Sequence, residues 1–138
     1  MTESLEDMLV RHEGMVLHAY QDSEGYWTIG AGRLIDKRLN GGITEEEARY
    51  LLRNDIQKIV AQAKTFPWYD GLSNPRKQVV LNMIFNLGLT RFSKFRNTIS
   101  CISRAEYAEA AKEMLDSTWA KQVGKRAIEL ARIMEHGE

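Results

Sequence analysis

The stretch RHEGMVLHAYQDSEGYWTIGAGRL, residues 11–34, constrains the fold most, because its hydrophobic pattern changes period partway along. Met8, Leu9 and His12 lie at helical spacing. A polar turn at Asp22, in contrast, leads into the aromatic and β-branched run YWTI. The first pattern predicts a helix over residues 4–12 that delivers Glu13 at its end. The second predicts a small antiparallel sheet with strands over residues 16–20, 26–31 and 33–35. Two carboxyl groups therefore lie on different elements.

Two such carboxyl groups are what glycoside hydrolysis requires, because one group must donate a proton while the other is ionised. Glu13 suits the acid role, since the negative end of a helix dipole disfavours a further negative charge. Asp22 lies in a solvated turn and suits the ionised role, and the nearby hydroxyl of Thr28 can help to hold a water. The spacing alone is weak evidence, because the chain has 19 Asp and Glu residues and most carboxylates are simply solvated.

The segments EG (13–14) and DSEGYWTIG (22–30), which contain Glu13, Asp22 and Thr28, resemble the phage-type lysozymes of glycoside hydrolase family 24. This resemblance implies that Glu13 is the general acid, that Asp22 positions or activates the water, and that Thr28 assists, with inversion at the sugar carbon. It further implies hydrolysis of the β-1,4 bond between N-acetylmuramic acid and N-acetylglucosamine in peptidoglycan glycan strands, with no cofactor and no metal.

The resemblance extends through most of the chain. GITEEEA (42–48) is similar to the start of the family's interdomain helix, and LNMIFNLG (81–88) to its central buried helix. WAKQVGKRA (119–127) corresponds to a segment that carries a Trp, a Gln and an Arg near the catalytic Glu, which implies that Arg126 pairs with Glu13. Such a pair would favour the ionised carboxyl and oppose the helix-end effect, and the sequence leaves open which effect is larger.

The same match implies further site residues. Leu34 and Phe85 correspond to apolar residues of the substrate groove, although either can instead belong to the core, and Thr98 corresponds to a Ser that contacts substrate. Arg33 and Asp55 correspond to an ion pair between the sheet and the long helix. The alternative for these last two is a pair of independent surface charges.

An α+β, lysozyme-like fold is predicted: mainly helical, with a small antiparallel sheet lobe joined by a long helix to a helical lobe. The apolar stripe from Ala48 to Ala63 indicates the long helix, and Thr44 with Glu47 forms a capping box at its start. We expect one domain over 1–138, with a β lobe at about 14–43, the interdomain helix at about 44–64, and a helical lobe at about 65–138 plus the N-terminal helix 1–13. One further helix is expected to begin at Asn74 and to end at Gly88. Others are expected to span 95–102, 104–116 and 125–136, and the helix over 104–116 is expected to start with a capping box of Ser103 and Glu106.

Composition narrows the possible partners. Nineteen basic residues balance nineteen acidic ones, so the chain lacks the electrostatic footprint of a nucleic-acid-binding protein. No apolar run approaches the ~18 residues that a membrane-spanning helix needs, and the opening MTESLEDM is not a secretory signal. The three His residues lack metal-ligand spacing. Together with the family resemblance, the absence of a signal and the short length lead us to expect a monomeric phage or prophage endolysin. We expect it to stay in the cytoplasm of a Gram-negative host until a holin releases it to the cell wall.

Three alternatives stay open. A peptidoglycan-binding or morphogenetic module can keep the fold without the chemistry, although its usual mark is loss of the acid, the Asp or the Thr, and all three are present here. A lytic transglycosylase breaks the same bond and differs only in its product. Membrane disruption by a cationic C-terminal helix is the third, and it is weakened by the acidic residues Glu129, Glu135 and Glu138 in that segment.

Overall fold

The computed structural model describes residues 3–31, 33–35 and 42–138, and eight helices and three strands lie in these ranges. In chain order the elements are α1 (Leu5–Glu13), β1 (Val16–Gln21), β2 (Trp27–Gly30), β3 (Arg33–Leu34), α2 (Glu45–Ala63), α3 (Asn74–Leu87), α4 (Leu89–Ser93), α5 (Arg96–Ser103), α6 (Tyr107–Leu115), α7 (Thr118–Val123) and α8 (Lys125–His136). The predicted α+β class, mainly helical with a small antiparallel sheet, is confirmed.

The chain divides into two units, Met1–Leu51 and Leu52–Glu138. The division falls inside α2. The sequence instead predicted that the whole of this helix would lie between the two lobes. The predicted organisation as one domain with lobes at 14–43 and 65–138 stays a prediction.

Helix α1 of the first unit has a clear start and end. The Ser4 side chain accepts a hydrogen bond from the Asp7 backbone N–H at 3.0 Å, and acidic residues in the first turn complement the helix dipole. The helix ends at Gly14, whose φ of 82° is a conformation that side chains disfavour. The last helical residue is therefore Glu13, one position later than the predicted end.

The three strands form one antiparallel sheet in the order β1-β2-β3. Tyr20 pairs with Thr28, and Thr28 pairs in turn with Leu34, while an irregularity interrupts the β1–β2 register between Val16 and Tyr20. All three predicted strands are present, and no end differs from the predicted one by more than one residue. Thr28 thus occupies the central strand, where both of its neighbours shield it.

Helix α2 begins with the predicted capping box. The Thr44 hydroxyl accepts from the Glu47 N–H at 3.1 Å, and the Glu47 carboxylate accepts from the Thr44 N–H at 3.0 Å. Both backbone donors would otherwise lack a helical partner, so this reciprocal pair fixes where the helix starts.

The second unit has an apolar core built around α3. Ser73 caps this helix, and Gly88, with φ of 82°, ends it as predicted. Helices α6 and α8 pack closely on each other, and α5, α4 and α7 complete the bundle. The largest fully buried side chains are Phe92, Met83, Ile84, Ile102, Met114, Met134, Val79 and Val80. Free Cys101 is buried among them, as expected for an apolar filler.

One predicted helix start is wrong. The expected capping box of Ser103 and Glu106 does not form, because Ser103 ends α5 and its hydroxyl donates to the Ser100 carbonyl at 2.7 Å. Ala105 then adopts a φ of 58°, and the next helix, α6, begins only at Tyr107. The sequence also missed the short helices α4 and α7.

Candidate active site

A tight turn between β1 and β2 holds Asp22. Its carboxylate oxygen Oδ1 accepts two backbone hydrogen bonds, from the N–H of Glu24 and the N–H of Tyr26, each at 2.9 Å. The Gly25 N–H donates to the Asp22 carbonyl at 3.0 Å, and the φ of 86° at Gly25 closes the turn. The side chain is half-buried, and one of its two carboxylate oxygens is committed to holding the loop. The other, Oδ2, accepts no hydrogen bond from the described part of the chain.

Thr28 lies on β2, the central strand, and only 3% of its surface is exposed. Its hydroxyl donates to the Tyr26 carbonyl at 3.1 Å, so the proton of this hydroxyl points back along its own strand. The lone pairs of Oγ1 remain available to accept a hydrogen bond from a bound water.

Glu13 is the last residue of α1 and is exposed to solvent. Its neighbours in the last turn, Arg11 and His12, are basic and complement the dipole there. The Arg11 guanidinium is occupied elsewhere, because it forms a salt bridge of 2.7 Å with Glu3. The first unit therefore contains all three residues to which the sequence assigned chemistry, each on a separate element or turn.

Arg33 and Leu34 form β3. The Arg33 guanidinium donates to the Glu47 carboxylate at 2.7 Å, which ties the sheet edge to the first turn of α2. The expected partner, Asp55, is an exposed residue of α2 that lies in the second unit, so the pairing of Arg33 with Asp55 stays a prediction. Leu34 is 42% exposed, as a groove residue would be.

In the second unit, Phe85 and Arg126 line the same cavity, which has a volume of about 510 Å³. The Arg126 Nε donates to the side-chain oxygen of Asn82 at 2.9 Å, which holds the guanidinium on α3. Phe85 is 49% exposed and so is not a core residue. The expected pairing of Arg126 with Glu13 stays a prediction.

Thr98 lies apart from that cavity. It is 3% exposed and lines a second, smaller cavity of about 220 Å³, at the start of α5. Within the second unit, the structure thus places two predicted substrate residues at different cavities, Phe85 on α3 and Thr98 on α5. The third, Leu34, lies on the sheet of the first unit.

Two Asn residues of α3 were not among the site residues predicted from the sequence. Asn82 holds Arg126, and the Asn86 side-chain oxygen accepts from the Trp119 indole N–H at 2.7 Å. The two residues are four positions apart, so they present amide groups on one face of the otherwise apolar segment 79–87 of this helix. Polar residues at helical spacing inside an apolar run were the available signal for both.

Across residues 3–31, 33–35 and 42–138, no group of three or more His, Cys, Asp or Glu side chains is placed to hold a metal ion. In the same ranges, no helix is long and apolar enough to cross a membrane.

The fold, the acid at the end of a helix and the Asp and Thr of a β-hairpin define a class, and comparison with known proteins gives its name. The phage lysozyme family matches residues 10–134, and the chain belongs to this family. It is therefore a lysozyme, a glycoside hydrolase whose substrate is peptidoglycan.

The similar proteins include relatives that are named lysozyme and endolysin. The chain is 31% identical to "Probable T4-type lysozyme 1" of Dictyostelium discoideum, over 99% of this chain and 96% of that protein. It is 30% identical to "Endolysin" of Acyrthosiphon pisum secondary endosymbiont phage 1, over 86% of this chain and 80% of the relative. It is also 30% identical to a "Pre-baseplate central spike protein" of Enterobacteria phage T4, over 97% of this chain but only 28% of that protein.

The alignment with the Dictyostelium protein is longer than this chain, at 164 positions against 138 residues. That relative therefore carries insertions that this chain lacks.

Proposed function

We propose that this lysozyme hydrolyses the β-1,4 bond between N-acetylmuramic acid and N-acetylglucosamine with inversion, and that Glu13, Asp22 and Thr28 carry the reaction. The observation that supports this most is the turn around Asp22. Because two backbone N–H groups hold Oδ1, the carboxylate has a fixed orientation, and Oδ2 is left to accept a proton from a water.

In the proposed reaction, a water attacks the anomeric carbon on the face opposite the leaving oxygen. Asp22 accepts one proton of this water as the new C–O bond forms. The Thr28 hydroxyl, whose own proton is donated to the Tyr26 carbonyl, accepts the other water proton as a hydrogen bond and so orients the water. Glu13 donates its proton to the leaving oxygen as the glycosidic bond breaks. One water is consumed, and both sugar ends leave as hydroxyl compounds.

We further propose that the activity lyses a bacterial host, with the enzyme reaching the cell wall from the host cytoplasm through a holin. The name of the phage relative, "Endolysin", supports this role. We expect a monomer that needs no cofactor and binds no nucleic acid, since a balanced net charge does not favour polyanions.

A second candidate is a catalytically silent peptidoglycan-binding or morphogenetic module. The similarity to a pre-baseplate central spike protein favours it, because that name denotes a structural part of a virion. The presence of Glu13, Asp22 and Thr28 favours the enzyme instead.

The deciding experiment is mass spectrometry of purified peptidoglycan after digestion by wild type and by Glu13→Gln. We expect reducing muramic ends from the wild type and a rate about 10² to 10⁴ lower for the variant, as removal of a general acid predicts. Glu24→Gln is the matched control, because Glu24 is exposed in the Asp22 turn and only its backbone N–H bonds to Asp22. Proton NMR of the first product tests inversion, which requires the α-anomer.

Each other outcome selects an alternative. Anhydro-muramic ends indicate a transglycosylase, and no cleavage by a folded wild type indicates the silent module. Lysis of cells by Glu13→Gln at the wild-type rate indicates membrane disruption.

A further inference from the structure

Strand β3 covers one side of Thr28, although its own pairing with β2 is short. It has two residues, Arg33 and Leu34, whereas strands usually have at least about three. Leu34 lies opposite Thr28, and the Ile35 N–H donates to the Trp27 carbonyl at 2.8 Å. A strand with so few bonds is expected to open locally unless another contact holds it.

The ion pair between Arg33 and Glu47 is such a contact. The Arg33 Nη2 donates to the Glu47 Oε1 at 2.7 Å, and the Arg33 Nε donates to the Leu34 carbonyl at 3.2 Å. The guanidinium therefore bonds to β3 itself and also to the first turn of α2, 14 positions away along the chain.

The Glu47 side chain is already held in place before it meets Arg33. The same oxygen, Oε1, accepts from the Thr44 backbone N–H at 3.0 Å and from the Thr44 hydroxyl at 2.9 Å. An ordinary surface ion pair contributes little, because two long side chains must lose rotational freedom to form it. Here the capping box holds Glu47, so Arg33 alone loses freedom, and the pair should contribute more than an ordinary one.

The strand register places this ion pair behind Thr28. Leu34 lies opposite Thr28, and Arg33 lies opposite Ile29. Since successive side chains of a strand point to opposite faces, Thr28 and Leu34 share one face of the sheet and Arg33 leaves from the other. The ion pair can therefore hold β3 without occupying the face that carries the Thr28 hydroxyl.

We propose that Arg33 and Glu47 are positioning residues for the reaction: their ion pair holds β3 against β2, and β3 keeps the Thr28 hydroxyl in one orientation. The inference rests on the proposed function, in which Thr28 orients the attacking water. Thr28 is 3% exposed, so its hydroxyl donates to the Tyr26 carbonyl with little competition from solvent. If β3 opened, solvent would compete for both groups, and the attacking water would lose its fixed position.

The test measures kcat on soluble glycan strands for Arg33→Met, which keeps an apolar stem but removes the guanidinium. We expect kcat to fall about tenfold, since small misplacements of a reacting group reduce rates by such factors. Glu47→Gln should lower kcat less, because its neutral amide can complete the capping box and removes only the charge. Adding Glu47→Gln to Arg33→Met should cause no further loss, since both changes act on one interaction.

The matched control is Arg49→Met. It also removes an ion pair of α2, the one between Arg49 and Glu45 at 3.0 Å, but neither of these residues belongs to the sheet. This variant should keep the wild-type kcat.

A variant of Thr28 tests whether the effect passes through its hydroxyl. Thr28→Val keeps the branched shape that suits a strand and lacks the hydroxyl. In this background Arg33→Met should change kcat less than about twofold, because no hydroxyl remains to be oriented. Hydrogen exchange adds a readout of β3: in Arg33→Met the Ile35 amide should exchange faster, whereas the Tyr26 amide of the Asp22 turn should keep its protection.

An equal loss of kcat from Arg33→Met with and without the Thr28 hydroxyl would overturn the positioning role, and so would a wild-type kcat in Arg33→Met. Unchanged exchange of the Ile35 amide would show that the ion pair does not hold β3, which would overturn it as well. A wild type that did not cleave glycan strands would overturn the proposed function instead. The exchange rate of Ile35 would then still decide whether the ion pair holds β3.

Discussion

Different interactions stabilise the structure within each of the two units. Every buried hydrophobic side chain among the described residues lies between Ala63 and Met134, and so belongs to the second unit. In the described part of the first unit, Thr28 alone is fully buried. Hydrogen-bonded caps and turns organise this unit instead: the Ser4 cap, the Asp22 turn and the Thr44–Glu47 box.

Because of this difference, the stability of the fold and the proposed reaction depend mainly on different units. Burial of apolar side chains is the dominant favourable term in folding, and it is concentrated in the second unit. The residues proposed to react are positioned by hydrogen bonds within a few residues of chain. Substitutions in the two units should therefore affect different measurements.

The largest expected effect is in the core of the second unit. Ile84→Ala, at a residue that is 1% exposed on α3, should lower the free energy of unfolding by about 2 to 5 kcal/mol, because it leaves a cavity. The matched variant Ile128→Ala removes the same atoms from a residue that is 63% exposed on α8, and should change stability by less than about 0.5 kcal/mol. Urea denaturation measures both. Similar losses at the two sites would contradict the assignment of the core.

The next effect concerns the Asp22 turn. Asp22→Ala removes the acceptor of two backbone N–H groups, and should destabilise the turn by about 1 to 3 kcal/mol as well as abolish activity. Asp22→Asn keeps an oxygen at the Oδ1 position and should retain most of the turn, yet lose at least about 10² in rate because it cannot accept the water proton. Hydrogen exchange of the Tyr26 amide reports the turn. An active Asp22→Asn enzyme would show that this residue has only a structural role.

The smallest effect is a pH dependence at the start of α2. The Thr44 backbone N–H, then the Thr44 hydroxyl and more weakly Arg33, hold the pKa of Glu47 below its ordinary value of 4.5. Because the folded pKa is depressed, the stabilising contribution is complete above pH 4.5 and is lost as the pH falls through the folded value. The protection of the backbone amides in the first turn of α2 against hydrogen exchange should fall in that acidic window. Glu47→Gln should remove this dependence, whereas Glu46→Gln should retain it.

Local signals in the sequence were read correctly where the partners are close along the chain. The end of α1, predicted to within one residue, and the Asp22 turn, the start of α2 and the stop at Gly88 depend on residues within about four positions, as caps and turns do. The start of α6 was predicted wrongly, because a local signal can have more than one meaning. Ser103 has two possible local roles, as a cap or as a donor to the Ser100 carbonyl, and sequence spacing does not distinguish them.

The sequence by itself determined the family, the α+β class and the candidate residues Glu13, Asp22 and Thr28, because motif and periodicity are properties of neighbouring residues. The tertiary structure alone decided the long-range partners. Arg126 bonds to Asn82, 44 positions away, and Trp119 bonds to Asn86, 33 positions away. It also decided that four charged residues line the same small cavity as Thr98, since α5 packs against α6. Such contacts depend on how helices pack, and no short stretch of sequence encodes that arrangement.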